Sequence, residues 1–128
     1  MIQERVHIND LHFEHRIWMN ELRFFKDQLR IFNDQLGEVV RRWTDKEVLA
    51  QAEAFQNQFI RQDEVIDELL HEFKAHDKKL AEYAKDHPVT IDHVLFDNHV
   101  EQRDKMETFI RLYDDMKKRY MDFLRSSM

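Results

Sequence analysis

INDLHFEHRIWMNELRFFKDQLRIFNDQLGEVVRRW, residues 8–43, is the stretch whose spacing decides the fold. Ile8, Leu11, His15, Trp18, Leu22, Phe25, Leu29, Phe32, Leu36, Val39 and Trp43 recur at alternating intervals of three and four. That spacing lays one apolar seam along a single long helix, because a strand repeats every two residues. Gly37 falls on an outward position while the pattern continues to Trp43, so the helix is expected to run through it at a cost of about 1 kcal/mol relative to alanine.

The rest of the chain repeats the pattern. A second seam runs Ala52, Phe55, Phe59, Gln62, Ile66, Leu69, Phe73, His76, Leu80, Tyr83, and a third runs Leu95, His99, Gln102, Met106, Phe109, Tyr113, Met116, Tyr120, Phe123. Three helix starts have a mechanism. Thr44-Asp45-Lys46-Glu47 has the form of a capping box with Thr44 as N-cap, flanked by Trp43 and Val48 as a hydrophobic staple. Thr90, following Pro88 and flanked by Val89 and Val94, opens the third helix, and Asn9, between Ile8 and Phe13, opens the first. The expected helices span roughly residues 10–42, 45–86 and 90–125 within a single domain covering residues 1–128. Links of a few residues make neighbours antiparallel. The fold class is therefore all-α: an elongated antiparallel up-down-up three-helix bundle with coiled-coil-like heptad seams.

Composition removes whole classes of chemistry. With one Gly, one Pro and no Cys in 128 residues, there is no disulfide, thiolate nucleophile or Cys-ligated metal, and no glycine loop to cradle a phosphate. No nucleotide cofactor is expected. The only serines, Ser126 and Ser127, lie at the C-terminus, so a Ser-based triad drops out. A formal charge of −6 argues against nucleic acid as a partner. No apolar run is long enough for a membrane span, and a soluble, cytoplasmic protein is the expectation.

Histidine placement is the informative feature. All eight histidines lie between His7 and His15 or between His71 and His99, which is one end of an antiparallel bundle. Counting back from the two turns sets His76 level with His99, and His15 level with Phe73, about 4.5 Å from that layer at 1.5 Å per residue. Each helix thus directs one seam histidine to nearly the same level. A buried imidazole without a partner costs about 1 to 3 kcal/mol, and a divalent metal, zinc or iron, satisfies three at once. Glu72, one turn before His76, and His12 are the candidates to complete the shell, with Asp92 near the same end. A water on an open position would be acidified for hydrolysis, although no substrate is indicated. Two other readings compete: a polar layer of His15, His76, His99, Gln102 and nearby carboxylates that fixes register, and a cluster that titrates near pH 6. Trp18 walls the layer off as a core residue.

Two motif matches are set aside. Glu4 to His7 and Glu68 to His71 have the Glu-x-x-His spacing of di-iron bundles, but Glu68 and His71 point outward. The spacing of His99 and Asp104 is similar to one piece of a hemerythrin-type site. That family draws its ligands from four helices, and two of its ligand pairs would have to come from the single second helix here, so nothing is carried over.

A further stripe, Ile17, Phe24 and Ile31, recurs every seven residues, roughly 100° or more from the main seam and beyond a polar file of Glu14, Glu21, Gln28 and Gln35. With Ile60, Leu70, Phe96, Ile110 and Leu124 it provides more apolar surface than one bundle needs, so a homodimer is expected.

Overall fold

The three seams become three helices, α1 (Ile8–Arg42), α2 (Lys46–Ala84) and α3 (His93–Ser127), in a computed structural model that describes residues 8–87 and 93–127. The link between α1 and α2 is three residues long and reverses the chain. α3 runs parallel to α1: the Trp43 indole, just past the end of α1, donates to the carbonyl of Ser127 at 2.8 Å and ties the C-terminal ends together.

The helix starts correct the sequence reading in detail. Asp45, not Thr44, caps α2: its carboxylate accepts from the backbone N–H of Glu47 at 2.7 Å and of Val48 at 3.4 Å. A carboxylate there satisfies two orphan donors and also complements the positive end of the helix dipole. Glu47 is then one position too early for the reciprocal bond of a capping box. Trp43 and Val48 still pack against the core. Asn9 lies inside α1 instead of capping it. The expected start at Pro88 to Thr90 lies outside the described residues. α2 closes at Ala84 with tightened bonds from Lys85 N–H to the carbonyl of Glu82 and from Asp86 N–H to that of Tyr83. Gly37 sits in unbroken helix.

The seams are the core. Leu22, Phe73, Ile66, Tyr113 and Tyr120 have essentially no exposure, and the main cluster runs from Trp18 and Phe73 to Phe123 and Leu124. The polar file of α1 also has a task. Glu14 bonds His99, Gln28 bonds Tyr113 and Gln35 bonds Tyr120, each pair the same distance apart in sequence. Two parallel helices of equal pitch keep a constant offset, so the file forms rungs to α3. Tyr120 adds a bond to the carbonyl of Phe32 at 2.9 Å. Of the supernumerary apolar residues, Ile17, Phe24, Ile31 and Ile60 are exposed. Leu124 is buried in the core, Leu70 and Ile110 are half-buried against it, and Phe96 is half-buried against a smaller cluster of Ile8, Leu11 and Leu80, so these four belong to the bundle and not to an outer face.

Candidate metal centre

His15, His76 and His99 are the seam residues one step beyond Trp18, Phe73 and Gln102, where the heptad puts imidazole in place of hydrocarbon. Side-chain direction does the rest. The three rings meet with centroids 4.6 Å (His15 to His99), 5.3 Å (His15 to His76) and 5.7 Å (His76 to His99) apart. One ligand nitrogen from each lies within 4.8 Å of the others. His15 and His99 are 0% exposed and His76 is 5% exposed. Trp18 stacks on His99 at 5.0 Å and Phe73 on His15 at 5.9 Å, so one side of the cluster is an aromatic floor continuous with the core.

Polar partners fix each ring from behind. Carboxylates only accept, so His15 Nδ1–H donates to Asp77 Oδ1 at 3.0 Å and His99 Nε2–H donates to Glu14 Oε1 at 2.7 Å. His76 bonds the backbone carbonyl of Leu95. Asp77 also accepts from His12 Nδ1 at 2.9 Å, and Glu14 is gripped by both arms of Arg103 at 2.8 and 2.9 Å. Burial pushes both carboxyls up, but the bonds to Asp77 from His15 and His12, and those to Glu14 from Arg103 and His99, outweigh it. Both acids lie below their ordinary range and are ionised at neutral pH.

Two of the three imidazoles, His76 and His99, are pushed towards the neutral form. Burial, then the neighbouring His15 and His99 and Lys79, pushes His76 down to about 4. Burial also lowers His99, against the opposing pull of Glu14. A neutral ring whose one N–H is spent on a carboxylate or carbonyl presents a lone pair at its other nitrogen. Those atoms, His76 Nε2 and His99 Nδ1, are buried and without a hydrogen-bond partner. The third, His15 Nε2, faces Gln102 Oε1 at 2.9 Å, so this ring has an oxygen acceptor at each nitrogen, Asp77 Oδ1 on Nδ1 and Gln102 Oε1 on Nε2.

The arrangement is geometrically able to hold a divalent cation: three imidazole nitrogens converge, and an oxygen acceptor orients the far nitrogen of each ring. Of the residues expected here, the structure brings together His15, His76 and His99. Glu72 stands apart, because it lies on the flank of α2 that faces α3 and its carboxylate bonds Lys105 at 2.9 Å. His12 reaches the cluster only through Asp77. Asp92 lies outside the described residues. Sequence reasoning missed Asp77 as a partner altogether and read Glu14 as an outward polar position. A signal existed: an acid adjoins His15 at Glu14 and His76 at Asp77, and each acid bonds the histidine of a different helix, Glu14 to His99 and Asp77 to His15.

Comparisons of the chain with protein-family models, curated proteins and solved structures return no match. Among the described residues, no helix is long and apolar enough to cross a membrane.

Proposed function

We propose that this bundle binds one divalent metal ion through His15 Nε2, His76 Nε2 and His99 Nδ1, zinc before iron. The observation that carries the reading is a pair of buried, unpartnered imidazole nitrogens on rings that meet in one cluster. Three imidazole ligands suit zinc, with a nitrogen-to-metal distance of about 2.0 to 2.1 Å. Tetrahedral nitrogens at that distance stand about 3.4 Å apart, so the rings close in by roughly an ångström, within the reach of side-chain rotation. His15 gives up the Gln102 amide, which then stands beside the fourth position together with water. Binding at neutral pH displaces no proton from His76, whose pKa lies near 4.

The burial of the cluster favours an ion that fastens three helices at one end over one that works on a bulky substrate. Metal content of protein purified without an affinity tag, followed by Co2+ titration of the chelator-treated protein, tests the reading. One equivalent taken up with the visible bands of tetrahedral Co2+, and a melting temperature that rises with metal, is the expected result. No uptake of Co2+ or Zn2+ by the folded protein refutes it and leaves a polar layer that sets register. That alternative predicts that replacing His15, His76 and His99 together by Leu preserves or raises the melting temperature.

A further inference from the structure

The outer face of α1 carries a second feature, independent of the histidines. Phe13, Ile17, Phe24 and Ile31 are 63, 54, 60 and 58% exposed, and the last three recur at seven-residue intervals along about 21 Å of helix. A single exposed apolar residue needs no explanation, but a straight file of large ones does. Its two borders differ. On one side Glu14, Gln28 and Gln35 are occupied with His99, Tyr113 and Tyr120 of α3. On the other side lie Arg16, Arg23 and Arg30, interleaved with Asn20, Asp27 and Asp34, and all six are exposed. Arg30 bonds Asp27 at 3.0 Å and Arg23 bonds Asn20 at 3.4 Å, which places both kinds of residue on this one border.

We infer that α1 pairs with α1 of a second copy of this chain, antiparallel, about a twofold axis at Phe24. With Phe24 against the partner's Phe24, Ile17 lies against the partner's Ile31 and Ile31 against the partner's Ile17. In an antiparallel helix pair like borders meet, so the arginine border faces itself. Arg16, Arg23 and Arg30 then stand two residues, about 3 Å along the axis, from the level of the partner's Asp34, the partner's Asp27 and the partner's Asn20. Every arginine on the border thus finds an acceptor, at one common offset. A parallel pair sets the arginines against the border already committed to α3 and leaves Asp27 and Asp34 facing no cation. The charge pattern therefore selects both the occupant, a second copy, and its direction.

The absence of cysteine makes the test clean. Sedimentation or light scattering in EDTA, which removes any metal bridge, is expected to give a dimer of the wild-type chain. Phe24→Asp is expected to give a monomer of unchanged helix content. When Ile17→Cys and Ile31→Cys proteins are mixed and oxidised, the expected product is the mixed disulfide, while each alone cross-links poorly. A wild-type monomer at micromolar concentration overturns the inference, whether or not the face then binds lipid vesicles. Efficient self-cross-linking of Ile17→Cys overturns the antiparallel register.

Discussion

Acidifying the metal-free protein should unfold it in a way that traces to His76. Buried at 5% exposure beside His15 and His99, this ring has its pKa lowered from 6.5 to about 4. The unfolded chain binds the proton more readily than the folded one, so stability is complete above about pH 7 and falls as the pH drops towards 4. With those two pKa values the loss from His76 alone is about 1.4 kcal/mol by pH 5.5 and about 3 kcal/mol by pH 4. His99, lowered in the same direction, adds to the slope. Glu14 and Asp77, whose folded pKa values lie below the ordinary carboxyl range, contribute stability that persists to about pH 4 and is lost only below it, so the decline continues there. Urea unfolding in EDTA at pH 7, 5.5 and 4, followed by circular dichroism, measures the slope. In His76→Leu the part due to this ring disappears, leaving a shallower dependence. An unaltered slope in that variant, or flat stability from pH 7 to 4 in the parent, refutes the reasoning.

Asp77→Asn and Glu14→Gln are expected to keep the helices but to weaken Zn2+ binding about 10- to 100-fold in a chelator competition, since each removes a charged acceptor behind a ligand. Gly37→Ala is expected to stabilise by about 1 kcal/mol in urea unfolding, because Gly37 lies in regular helix and an added Cβ meets only the Arg41 guanidinium at 3.6 Å. Tyr120→Phe, which removes the buried bond from the hydroxyl to the Phe32 carbonyl and its contact with the exposed Gln35, is expected to cost about 0.5 to 1.5 kcal/mol by the same measurement.

Much of the site could be read one residue at a time. The heptad spacing identified His15, His76 and His99 as inward, and counting residues from the turns put His76 level with His99 and His15 within about 4.5 Å of them, because an α-helix advances by a fixed rise. Their supports were not legible that way. Asp77 and Glu14 sit beside seam histidines at positions that look outward on their own helix, and only the approach of a second helix gives them an imidazole to hold. Glu72 shows the converse. One turn from His76 on the same helix, it looks like a ligand, but α3 presents Lys105 to it first.

By itself, then, the sequence determined that this protein is three long helices, where the first of them turns into the second, which residues line the interior and which end collects the imidazoles. These follow from local periodicity and from the scarcity of glycine and proline. Which nitrogen of each ring is tied back and which is left bare, and which acid serves which histidine, was decided by the tertiary structure alone. The reason is that hydrogen-bond direction depends on the rotation of one helix about its axis relative to another, which no single helix encodes.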